Sequence, residues 1–167
     1  TIEGHDVKIS EIHGMAQRGG SVVTHIRYGT RVFSPIIEPG GADIIIGFEK
    51  MEALRWAHYL KPGGTMIIND QEILPMPVIS GTETYPRDII ARLKETCSDL
   101  YLLDAVSVAE KLGSTKVFNI VILGVLSKFM GIGMDSWTGA IESTVPARFL
   151  DLNLKAFELG HIVSCRA

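Results

Sequence analysis

Residues 42–69 read ADIIIGFEKMEALRWAHYLKPGGTMIIN, and their pattern decides the architecture. Ile44, Ile45 and Ile46 form a short continuous apolar run, the mark of a strand buried on both faces. A helix is predicted over 48–60, with Met51, Leu54 and Tyr59 turned inward and Glu49, Glu52 and Arg55 on a polar stripe. Pro62, Gly63 and Gly64 stop it, and 65–69 is a second apolar strand. Strand, helix and strand in succession predict a parallel pair joined by a crossover, hence an α/β domain.

Downstream, Pro75, Pro77 and Gly81 make 71–85 an extended loop with a short strand at 76–79. A helix is expected over 86–97, with Pro86 suited to its first turn. A strand follows at 100–103, ending at Asp104, and then a helix over 106–112 closed by Gly113. Three more helices complete the chain. The first, 116–130, is apolar nearly all round, so it is buried on both sides or sits at a subunit contact. Gly131 and Gly133 end it. The second, 136–143, takes Asp135 as its cap. The third starts near Pro146, carries Phe149, Leu152, Ala156 and Leu159 on one stripe, and stops at Gly160.

Upstream, strands are expected at 6–12 and 21–28, flanking the turn His-Gly-Met-Ala-Gln-Arg-Gly-Gly at 13–20. Val32 and Phe33 form a short extended piece, and Pro39, Gly40 and Gly41 a turn. In the second strand Val22, Thr24, Ile26 and Tyr28 share one face, and Val23, His25 and Arg27 the other. A face holding both His and Arg points to a domain interface, a partner or an anionic ligand.

Composition narrows the function classes. Apolar residues make up 46% of the 167 and charged residues 21%. The mean hydropathy of +0.23 is high for one small soluble domain, so part of the apolar surface is expected to face another subunit. A net charge of −3 leaves no basic patch, which argues against nucleic acid. The most apolar run, 117–126, contains Asn119 and falls short of the roughly 20 residues of a membrane span. Cys97 and Cys165 are far apart, with no Cys/His cluster, so no iron–sulfur or zinc site is expected in this chain. Both read as reduced thiols of a cytoplasmic protein.

The candidate site residues are Gln17, Arg18, Gly19, Gly20, His25, Arg27 and Glu49. Gln17 and Arg18 supply donors between glycines that let backbone amides approach a phosphate or carboxylate, although a tight turn meeting solvent has the same composition. His13 and His25 are more often structural than catalytic. Arg27 is read as a partner-facing charge. Glu49 follows a strand end, where ligands gather in open α/β sheets, but an acidic residue there also complements a helix dipole. Gly131-Ile132-Gly133 follows a helix and not a strand, the wrong context for a nucleotide loop. No acid, base, nucleophile or metal ligand is assigned.

Several stretches together resemble the gamma domains of the 2-oxoacid:ferredoxin oxidoreductases. They are 13–23, Ala42-Asp43, Gly47-Phe48-Glu49 with Glu52-Ala53-Leu54-Arg55, 60–64, Asn69, Leu74-Pro75, Asn119, Trp137 and 153–160. The first glycine turn favours the indolepyruvate, or arylpyruvate, branch over the pyruvate and 2-oxoglutarate branches. The resemblance implies a Rossmann-like three-layer sandwich with a mostly parallel central sheet and a helical C-terminal part, as one domain over 1–167. It also implies a non-autonomous small subunit in the CoA-dependent oxidative decarboxylation of arylpyruvates, with electrons passed to ferredoxin. Thiamine diphosphate and iron–sulfur clusters are then expected in a large alpha subunit, with coenzyme A and a 2-oxoacid as small-molecule substrates. The strand, glycine-rich loop and helix with which the family opens are expected to be missing here. A stand-alone flavin or nucleotide module and a purely architectural docking domain are the other readings the residues permit.

Overall fold

The computed structural model describes residues 3–14 and 21–167. The chain opens with a hairpin of β1 (Asp6–His13) and β2 (Val22–Gly29), antiparallel and in register from Asp6↔Gly29 to His13↔Val22. It does not pair with the remaining strands. These are β3 (Ala42–Gly47), β4 (Leu60–Asn69) and β5 (Asp99–Leu103), a parallel sheet in the order β3-β4-β5. Between β3 and β4 lies α1 (Lys50–Trp56), and between β4 and β5 lie α2 (Met76–Ile79) and α3 (Ile89–Thr96). After β5 come α4 (Ala105–Lys111), α5 (Phe118–Leu126), α6 (Met134–Thr144) and α7 (Leu150–Ile162).

Alternation along each strand sorts the core into two layers. Met66, Ile68 and Leu100 face Ala53, Ala57, Ile89 and Leu93 of α1 and α3 and the turn after α1. Ile67 and Leu103 face the other way, onto α4, α5 and α7 through Ala109, Val121, Val125 and Ala156. Helices on both sheet faces make the expected three-layer α/β sandwich, with the helical part C-terminal.

Several elements differ from expectation for local reasons. The segment 76–79 is helical, because Pro75 is an extended N-cap and Pro77 lies in the first turn, where a missing N–H costs nothing. The helix expected over 48–60 runs only over α1, since Glu49 caps it and a 3₁₀ turn, Ala57–Tyr59, tightens its end. Gly63, at φ +73°, lies inside β4, where the β3–β4 register shifts. The helix expected over 86–97 begins at Ile89. Val32 and Phe33 join no strand. The long apolar helix is a 3₁₀ turn, Thr115–Val117, continued by α5. Gly133, not Asp135, caps α6, and Asp135 sits in the first turn, where its charge suits the helix dipole.

Gly160 does not stop α7; it lies within it. A Cβ there would fall 1.9 Å from the Val121 carbonyl oxygen, and one on Gly124 would fall 2.1 Å from that of Phe157. The two glycines let α5 and α7 cross nearly backbone to backbone.

Candidate functional site

Helices that follow parallel strands turn their N-termini to the carboxyl edge of the sheet, which is where ligands gather in open α/β folds. Here that edge is the exit of β3 at Phe48 and Glu49, of β4 at Asn69 to Gln71, and of β5 at Asp104. Asn69 has no solvent exposure and ties the three exits together. Its Nδ2 donates to the Phe48 carbonyl at 3.2 Å and to Gln71 Oε1 at 3.1 Å, and its Oδ1 accepts from the Ala105 amide at 3.0 Å.

Glu49 is only 5% exposed. One carboxylate oxygen caps α1 by accepting from the Glu52 amide at 2.8 Å, and the other accepts from the Tyr85 hydroxyl. Burial, followed by the Glu49 carboxylate, pushes the Tyr85 phenol well above its ordinary pKa. Beside it, Lys50 Nζ lies 2.8 Å from both Asp70 Oδ1 and Glu72 Oε1, and the Lys50 amide donates to the Gln71 carbonyl at 3.1 Å. Hydrogen bonds to Asp70 first, then Glu72, raise the Lys50 ammonium. Glu52 accepts from Ser21 Oγ at 2.7 Å and pairs with Arg55 at 2.8 Å. The first turn of α1 thus gathers the end of the hairpin, the loop after β4 and Tyr85. A shallow cleft of about 490 Å³ adjoins it, lined by Glu72, Thr84, Tyr85, Pro86 and Arg87.

Of the residues singled out in the sequence, Gln17, Arg18, Gly19 and Gly20 lie outside the described residues. Glu49 is at the sheet edge. His25 and Arg27 are not. The His25 ring is buried, its Nδ1 accepts from the Ile37 amide at 3.0 Å, and it meets Tyr59 edge-on at 5.8 Å. The ring proton is therefore assigned to Nε2. Arg27 donates to the carbonyls of Ser34 and Ile36, each at 3.2 Å. Segment 34–37 is hydrogen-bonded to both residues, with His25 buried and Arg27 still exposed. His13 pairs with Glu11 at 2.7 Å. Sequence reading did not place Lys50, Asn69 or Tyr85 in the site. An Asn closing an apolar strand was a usable signal; Tyr85, 36 residues from Glu49, had none.

The arrangement fastens loops. Both Glu49 oxygens are engaged, one by the α1 cap and one by the Tyr85 hydroxyl. Ser127 Oγ and His161 Nδ1 approach to 2.8 Å, but Ser127 is buried and donates to the Gly124 carbonyl, which makes it a clasp between α5 and α7 and not a nucleophile. Cys97 and Cys165 lie in the two different core layers, and burial pushes the Cys165 thiol up. Among the described residues no group of three or more His, Cys, Asp and Glu is placed to hold a metal. No described helix is long and apolar enough to cross a membrane.

Comparison with known proteins gives this geometry its context. The chain is 40% identical over 162 residues to the indolepyruvate oxidoreductase subunit IorB of Archaeoglobus fulgidus, covering 95% of this chain and 80% of that protein. It is 26% identical over 162 residues to the pyruvate/ketoisovalerate oxidoreductases common subunit gamma of Thermococcus kodakarensis, with coverage of 93% and 80%. Its fold is similar to that of a keto/oxoacid ferredoxin oxidoreductase gamma subunit from Geobacter sulfurreducens, with a TM-score of 0.66 at 21% identity, covering 95% of this chain and 80% of that one. It is also similar to part of the 2-oxoglutarate:ferredoxin oxidoreductase of Magnetococcus marinus, with a TM-score of 0.66 at 17% identity, covering 95% of this chain but 25% of that one. A sequence profile described as pyruvate ferredoxin/flavodoxin oxidoreductase matches residues 1–162, and the chain belongs to that family.

Proposed function

We propose that this chain is the small subunit of an indolepyruvate:ferredoxin oxidoreductase, working with a large subunit in the CoA-dependent oxidative decarboxylation of arylpyruvates. The observation that carries this reading is the 40% identity to an indolepyruvate oxidoreductase subunit, against 26% to a gamma subunit serving pyruvate and ketoisovalerate oxidoreductases. Two cysteines in separate core layers do not make a cluster ligand set, so thiamine diphosphate and iron–sulfur clusters are assigned to the large subunit. This chain's 167 residues act as one domain that completes the assembly, with Gln17, Arg18, Gly19, Gly20, His25, Arg27 and Glu49 as its residues for ligand or partner contact. Ferredoxin is reached through the complex, in the cytoplasm.

The test is reconstitution with the large subunit, following viologen reduction with indolepyruvate and coenzyme A. Activity only when both chains are present is expected. Turnover by this chain alone, or activity with pyruvate and none with indolepyruvate, would overturn the assignment. Arg18→Ala in the intact complex is expected to lower turnover while leaving assembly in place.

A further inference from the structure

The other face of the hairpin is largely apolar and exposed, with Thr24 and the His13–Glu11 pair toward the end that carries Val22. Ile9 and Ile26, register partners across the two strands, are 62% and 54% exposed, and Val22 and Tyr28 on the same face are 54% and 42% exposed. A two-stranded ribbon is at best marginally stable by itself in water. Here the strap at 34–37 meets His25 and Arg27 on one face, while on the other the His5 ring meets Tyr28 edge-on at 5.5 Å and Val22, Ile9 and Ile26 stay more than half exposed. Such an array of β-branched and aromatic side chains is the surface of an interface core.

Size decides between occupants. Two strands of eight residues present a face on the order of 300 Å². A stable interface takes about 800 Å² from each partner, so two hairpins laid face to face in a pair of copies fall short. A larger body that also reaches a neighbouring apolar area suffices. That area exists: Ser21, at the hairpin's end, is held by Glu52 next to the sheet edge, where Phe48, Ile73, Leu74, Met76 and Ile79 are also exposed. In the Magnetococcus marinus oxidoreductase the equivalent fold is only a quarter of one chain, so a body about three times its size is joined to it covalently.

We infer that the face formed by Val22, Ile26, Tyr28 and Ile9 is a docking surface for the large subunit of the oxidoreductase, which packs an apolar surface across it. The inference rests on the function proposed above. The test is co-expression of the full chain, unmodified or as Ile9→Ser/Ile26→Ser, with the large subunit, and measurement of their affinity after purification. Both side chains are mostly exposed, so the double variant is expected to keep the circular dichroism and melting profile of the unmodified chain. Its affinity for the large subunit is expected to fall at least about 30-fold, as for loss of an interface hot spot. Equal affinity of variant and unmodified chain would overturn the docking surface while keeping the function. So would a variant that merely abolishes self-association of this chain, or retained binding by it alongside loss in Ile73→Ser/Met76→Ser. Should the double variant misfold, Ile26→Thr, which keeps a β-branched residue, is measured in its place against the same criterion. Failure of the unmodified chain to bind any large subunit would instead overturn the function itself.

Discussion

Asn69 shows how much one side chain can organise. Replacing it by Ala strands the buried Ala105 amide and removes the donor to the part-buried Phe48 carbonyl, and the expected loss is about 2–3 kcal/mol in urea unfolding. Tyr85→Phe removes one donor from the buried Glu49 carboxylate and is expected to cost about 1–2 kcal/mol. Its pH behaviour is more telling. The Tyr85 phenol and the Lys50 ammonium both have raised pKa values in the folded chain. A raised pKa contributes stability that is fully present below the unfolded value and lost as pH rises through the folded one. Stability is therefore expected to fall as pH climbs above 10.0, the ordinary tyrosine value, and Tyr85→Phe to remove the phenol's share of that fall. Melting temperatures of the two proteins between neutral and strongly alkaline pH measure it. The Glu49–Tyr85 pair was not legible locally, because the two meet only after β4 and the loop behind it are in place.

Among the elements, the pair α5 and α7 depends most on a residue type that sequence reading misassigned. Gly160 at the end of an apolar stripe has the look of a helix stop, but its lack of a side chain is used for close approach to Val121. Gly160→Ala is expected to push the two helices apart and cost about 3 kcal/mol or more. Gly139, in α6, has no atom within 4 Å of where a Cβ would stand. Gly139→Ala is expected to stabilise by about 0.5–1 kcal/mol, from helix propensity alone. Chemical denaturation of the two variants separates these opposite signs. A glycine in a helix reads the same in both places, and only the neighbouring backbone tells a crossing point from a free surface.

For the whole molecule, the exposed hairpin face and the loop residues beyond the sheet edge are where the proposed large subunit would act. Binding the large subunit at about 100 times its dissociation constant is worth about 2.7 kcal/mol. For a domain of this size that is a rise in melting temperature of roughly 5–10 °C, measurable by calorimetry of the mixture. The strand–helix–strand stretch at 42–69 determined the parallel sheet by itself, because an all-apolar strand and the crossover it needs are local patterns. The two hairpin strands and their face assignment were local as well, since alternation has a period of two. What the faces meet was not local. The strap at 34–37 hydrogen-bonds His25 and Arg27, on a face read from the sequence as turned to a domain interface, a partner or an anionic ligand, and leaves much of the apolar face exposed. The clustering of Glu49, Tyr85, Lys50 and Asn69 at one edge was likewise decided only by the tertiary structure. Those contacts join residues far apart in the chain, and no spacing pattern encodes which distant partner satisfies a buried polar group.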